Sequence, residues 1–250
     1  MARLHPKDAD IYLDELDFSA VVNNVDIAVD NPLGDVTAYA DTHQVFVEGK
    51  PGFTIDVNGL WSPSSPNYDG EIFTDLTSQT RQLGIYPETP TTTGSRGFEA
   101  TTMVTRSPTL ADFGEVIGIN VTWRGETPLV ESWVMYKNTA IGATATGTAY
   151  QVGALSATQQ MVSVLRLLAA PGGAGSNDCV VTIESDTVGF PSAVTRITHA
   201  TLNQASVALF EKLTYNGAQT DDYWRVVVTI TGAGTRTFNL LICIGIAKIT

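Results

Sequence analysis

Only 16% of the 250 residues carry a charge, and two cysteines and three histidines are all the chain has of the side chains that most often hold metals. Cys179 and Cys243 lie in the apolar runs Cys179-Val180-Val181-Thr182-Ile183 and Leu241-Ile242-Cys243-Ile244. Buried free thiols are expected there, and no spacing resembles a metal knuckle. His5, His43 and His199 are isolated from one another. No Cys–His or Ser–His–Asp arrangement is written into the sequence, so no catalytic residue, cofactor site or metal site is expected. His199 follows Arg196-Ile197-Thr198 in a strand-like stretch and is expected at a surface or edge. Lys and Arg form no cluster, which argues against tight nucleic-acid binding through phosphate neutralisation. Met1 to Asp8 contain no apolar signal segment. The apolar run Leu240 to Ala247 is too short to span a membrane. The expectation is a protein made in a reducing cytoplasm, without a membrane anchor.

What the chain does have is 43% hydrophobic residues, a mean hydropathy of +0.06 and abundant Thr, Ser, Gly, Val and Ala. Such a composition suits short strands with many turns and a surface partly covered by other subunits. Strands are predicted over 25–30, 53–60, 98–106, 115–124, 160–169, 179–185, 194–200, 205–210, 223–231 and 237–246. In 53–60, Phe53, Ile55 and Val57 alternate with Thr54, Asp56 and Asn58, the pattern of a strand with one wet face. Asp69 followed by Ile72, Phe73 and Leu76 predicts one short helix. Turns are predicted at Asn31–Gly34, Ser107-Pro108, Pro171–Gly175 and Gly232–Gly234. The small residues of 138–147 suggest a boundary between a β-sandwich domain over 1–138 and a second over 139–250. The fold class is therefore all-β, two sandwich- or barrel-like domains with one short helix in the first. A weak match between 110–125 and 220–232 leaves internal duplication open.

Charge is distributed unevenly. Met1 to Val130 hold 7 basic and 19 acidic residues, whereas Glu131 to Thr250 hold 7 of each, so the whole net charge of −12 belongs to the first half. Solubility alone explains such a bias, and so does a role beside a polyanion that must not stick.

The order of segments in the first half resembles a known family. Leu16-Asp17-Phe18-Ser19 is followed by Asp35-Val36-Thr37-Ala38-Tyr39-Ala40-Asp41, then Phe46-Val47-Glu48-Gly49, the strand 53–60, the 69–76 helix, Ile85-Tyr86-Pro87 and the strands 98–106 and 115–124. Over roughly residues 11–130 this resembles the tail-tube (major tail) proteins of long, flexible-tailed, siphovirus-type bacteriophages. Gly147 to Gly153 and Thr220 to Arg225 likewise resemble segments of phage virion proteins. The resemblance implies a virion structural protein, not an enzyme. It would be assembled in the host cytoplasm as homo-oligomeric rings, trimeric or hexameric, stacked into a hollow tube. One-domain members form six-membered rings, and two fused tube domains would need three copies. Tape-measure and tail-tip or terminator proteins are the implied partners, and genome DNA passes during ejection without specific binding. Residues 139–250 would be either a duplicated tube domain or an outer decoration. An acidic channel wall would repel DNA, so Asp35, Asp41, Glu48, Asp56, Glu99, Asp112 and Glu115 are the candidate lumen-facing acids.

Two rival readings belong to other classes. One is a capsid decoration or tail-terminator protein of fixed oligomeric state. The other is a glycan-binding virion module using Asp221, Asp222, Tyr223 and Trp224, where calcium is the alternative ligand; Glu184-Ser185-Asp186 could contribute metal ligands but reads more simply as a solvated strand end. The simpler reading of 221–225 is a turn into a strand, with an aromatic residue in the core and Arg225 paired to an acid. The tryptophans Trp61, Trp123, Trp133 and Trp224 are expected in cores or interfaces.

Overall fold

The computed structural model describes residues 9–30, 33–38, 42–48, 52–60, 80–91, 93–106 and 118–249. Every regular element among them is a strand. In chain order they are β1 (Asp10–Leu13), β2 (Leu16–Asp17), β3 (Val22–Asp30), β4 (Leu33–Asp35), β5 (Phe46–Glu48), β6 (Gly52–Leu60), β7 (Thr80–Tyr86), β8 (Arg96–Arg106) and β9 (Gly118–Gly125). There follow β10 (Val130–Ile141), β11 (Ala145–Thr146), β12 (Tyr150–Gln151), β13 (Gln159–Gly172), β14 (Asp178–Asp186), β15 (Val194–Thr198), β16 (Leu209–Asn216), β17 (Tyr223–Thr231) and β18 (Thr237–Lys248). The all-β expectation is met. The predicted helix at 69–76 and the turn at Ser107-Pro108 lie outside the described residues. The strand expected at 205–210 starts only at Leu209.

The chain forms two compact units, and they are not the two halves. The first comprises residues 1–20, 82–100 and 130–250; the second comprises 21–81 and 101–129. A boundary at 138/139 would cut β10, whose residues run unbroken through it and pair with β18 from Ser132↔Gly245 to Ile141↔Phe238. The small residues that suggested a linker instead form the end of β10 and the crossing to β11, which pairs with β17 of a different sheet.

In the first unit, one sheet runs β16-β13-β18-β10-β8-β7-β1-β2 and the other runs β11-β17-β14-β15, with β12 also on β17. The sequences of the strands reflect how many faces each buries. β14 and β17 alternate: Cys179, Val181 and Ile183, and Trp224, Val226 and Val228, point inward. β13 and β18 are buried on both faces: β18 reads as a continuous apolar run from Leu240 to Ile244, and the buried stretch Met161 to Leu167 of β13 is apolar except for Ser163 and Arg166. Met161, Leu165 and Leu167 meet the second sheet in the main core with Leu240, Ile242 and Ile244. The intervening residues serve two further clusters, Val162 and Val164 with Val130, and Leu241 and Cys243 with Tyr12, Tyr86 and Val134. The glycine turns behave as expected: Gly173, Gly175 and Gly232 adopt φ of 82°, 106° and 101°, which L side chains disfavour.

In the second unit, β3 pairs with β6, β6 with β9, and β9 with residues 102–106 of β8. Phe53, Ile55 and Val57 from β6 and Val121 and Trp123 from β9 are buried on one face. β4 and β5 make a separate short antiparallel pair, Leu33↔Glu48 to Asp35↔Phe46.

Candidate functional site

Among the described residues, the second unit's sheet has an open edge. β3 is nine residues long and its one ladder partner among the described strands is β6. Its sequence, Val-Asn-Asn-Val-Asp-Ile-Ala-Val-Asp, is half-buried at best along its length. Large apolar side chains of this unit stand in water: Val29 on β3 is 62% exposed, and at the separate β4–β5 pair Val36 is 51%, Val45 42% and Phe46 50% exposed. An unpaired strand with exposed apolar residues is an association surface unless it is blunted. Charge collects in the same unit. Residues 21–81 and 101–129 hold 12 acidic and 4 basic side chains, a balance of −8 out of −12.

The structure separates the seven candidate acids. Asp35 is exposed at the end of β4 and accepts bonds from the Thr37 amide (2.9 Å) and hydroxyl (2.5 Å), which hold its carboxyl below the usual carboxylate range. Glu48 ends β5. Asp56 is half-buried on β6 and accepts a bond from the Thr122 hydroxyl of β9. Asp41, Asp112 and Glu115 lie outside the described residues. Glu99 is a correction: at 2% exposure it has no surface to offer a channel. Its carboxylate takes Arg166 Nη1 and Nη2 at 2.7 and 2.8 Å, Gln82 Nε2 at 2.9 Å and the Tyr86 hydroxyl. Arg166 Nε also donates to the Asp14 carbonyl at 2.6 Å, tying β13 to the turn after β1. A buried carboxylate is tolerated only with such partners.

The polar-aromatic cluster at 221–225 is taken apart by the fold. Trp224 is fully buried in the main core, and its indole N–H donates to the Gly153 carbonyl at 3.0 Å. Asp221 accepts from Arg196 Nη2 at 2.9 Å and from the Ser185 hydroxyl at 2.8 Å. Asp222 accepts from Gln151 Nε2 at 2.6 Å, and Arg225 pairs with Glu184 at 2.8 Å beneath the Phe190 ring. Asp186 accepts the Thr187 and Ser192 amides at 2.7 and 2.6 Å, closing the loop after β14. These acids are engaged in holding strands and loops together.

One constellation escaped the sequence. His199 is not at the surface but 2% exposed, with Nε2 2.8 Å from the Ser163 hydroxyl and Nδ1 2.7 Å from Glu211 Oε2. Glu211 Oε2 also accepts the Ala200 amide at 3.0 Å. Ser163 and Glu211 are brought together by register: β13 and β16 pair with Ser163↔Leu213 and Leu165↔Glu211, a diagonal on one face. The serine–histidine–carboxylate order is that of a hydrolase relay, but Ser163 is wholly buried in mid-strand. Only the ladder, invisible in sequence, places it beside a histidine 36 residues away.

No family model matches the chain, and no curated protein matches it. Among solved structures it is similar to the Dit protein (gp 19.1) of SPP1, described as a hub adsorption apparatus of phages infecting Gram-positive hosts. That match has 8% identity, covers 96% of this chain and 99% of the other, and has a TM-score of 0.36. A second similarity, to a structure of infectious bursal disease virus strain Gx, has 8% identity, covers 96% of this chain and 69% of the other, and has a TM-score of 0.23.

Proposed function

We propose that the chain is a structural subunit of a phage tail, assembling into stacked rings that form the tail tube and conduct the genome. Two features of the second unit carry this reading: the edge of β3, open among the described residues and bearing the exposed Val29, and the exposed Val36, Val45 and Phe46 at the β4–β5 pair. A soluble monomer gains nothing from such an edge, whereas ring closure pairs it and stacking covers the exposed apolar side chains. The segment order over residues 11–130 supports the same role. The acidic excess of this unit suits a wall that DNA slides past, and Asp35, Glu48 and Asp56 are its candidates among the described residues. Because the two units interleave along the chain and are not tandem copies, the ring we propose has six subunits. The protein has no catalytic role in this reading, and its partners are further copies and the tail proteins that start and end the tube.

Light scattering on the purified protein tests this. The wild type should run as a ring-sized oligomer. Phe46→Asp with Val36→Asp should run as a folded monomer with unchanged far-ultraviolet circular dichroism. A wild-type monomer at every concentration, or a double variant that still assembles, contradicts the reading.

A further inference from the structure

The two sheets of the first unit meet at one side through their edge strands, β15 from one and β16 from the other. No backbone ladder joins these strands; side chains do. His199, immediately after β15, reaches between β13 and β16 to Ser163 and Glu211. Arg196 of β15 lies 5.5 Å from the Tyr215 ring centroid of β16, and its Nη1 is 3.5 Å from the Tyr215 hydroxyl. We propose that this seam is an acid-sensitive latch, in which protonation of His199 releases β15 from β16 and opens that side of the sandwich.

The chemistry follows from hydrogen-bond direction. With Glu211 ionised, a neutral imidazole donates from Nδ1 to the carboxylate and accepts at Nε2 from the Ser163 hydroxyl. A proton added at Nε2 turns that acceptor into a donor. The Ser163 hydroxyl must then rotate to accept, and its own proton loses its acceptor in a site with no exposure. The groups facing the ring are Glu211 from β16 and Ser163 from β13, while β14 supplies the Val181 carbonyl to the His199 amide at 2.9 Å. Arg196 is engaged with Asp221 and Ser185, and Lys212 reaches Gln82 on the opposite face of β16. Among the described residues, Glu211 is thus the single charge facing the ring. Burial lowers the imidazole's affinity for a proton and Glu211 opposes this, with burial the larger effect. The folded latch therefore holds at neutral pH and weakens as pH falls below the ordinary histidine value, where the open form takes up the proton more readily.

Amide hydrogen exchange of the full chain, expressed as protection factors, tests the latch between about pH 7.5 and about pH 5. Once parted, the two edge strands fray from their own sheets, so protection in 194–200 and 209–216 should fall about tenfold or more, while the amides of the β14–β17 ladder keep theirs. His199→Gln, which keeps a neutral hydrogen-bonding group, should remove the pH dependence. The proposal is overturned if the two segments keep their protection in acid, if they lose it in step with the whole unit, or if the variant shows the same fall. Should the variant not fold, the wild-type imidazole resonances decide: their titration midpoint must coincide with that of the exchange change, and a ring that stays neutral while the strands open overturns the latch.

Discussion

Arg166 and Glu99 form a two-pronged ion pair, 2.7 and 2.8 Å, with side chains 0% and 2% exposed. They come from β13 and β8, and the pair also gathers Tyr86 and Gln82 of β7. Removing one partner leaves an unpaired buried charge. Arg166→Met should therefore cost about 3–5 kcal/mol of unfolding free energy. Arg166→Met with Glu99→Leu should recover most of it. Urea unfolding of the two single variants and the double closes the cycle, and additive losses would contradict the pairing.

Gly84 sits where this network leaves no room. A Cβ there would stand 2.6 Å from Arg166 Nη2 and 3.0 Å from Glu99 Oε1. Gly84→Ala should destabilise by about 1–3 kcal/mol. That loss should shrink in the Arg166→Met background, as measured by the same unfolding curves.

Both thiols should be silent in the folded protein. Burial pushes Cys179 and Cys243 up to about 12, and both are free and buried. A thiolate is the reacting form, so an aromatic disulfide reagent at neutral pH should release no chromophore from the native chain and two equivalents in denaturant. Fast reaction in native buffer would place one of them at the surface.

Trp224 distinguishes a core role from a ligand platform. Trp224→Ala should lower stability by about 3–5 kcal/mol, because the ring fills the main core. Trp224→Phe should cost less, through loss of the indole bond to Gly153. A Trp224→Ala variant with wild-type thermal stability would contradict this placement.

The strands were legible in the sequence wherever one mechanism governed them. β6, β14 and β17 alternate because each buries one face, and β18 reads as an apolar run because it buries two. The interleaving of the units was not legible, since a small-residue stretch such as 138–147 looks the same whether it joins domains or crosses between sheets. Charged core residues were missed for a related reason. Glu99 and His199 look like surface residues in sequence, and only strand register supplies the Arg166, Ser163 and Glu211 that make their burial tolerable. By contrast, the reading of one aromatic of Tyr223-Trp224 as core and of Arg225 as paired to an acid needed only the apolar run that follows them, and the structure assigns the core place to Trp224.

The central claim is self-assembly through the second unit, and negative-stain electron microscopy of the purified chain across a concentration series tests it most directly. The account predicts hollow rings with six-fold class averages that stack into tubes as concentration rises. Uniform small particles at every concentration would contradict it and return the weight to a decoration or terminator role.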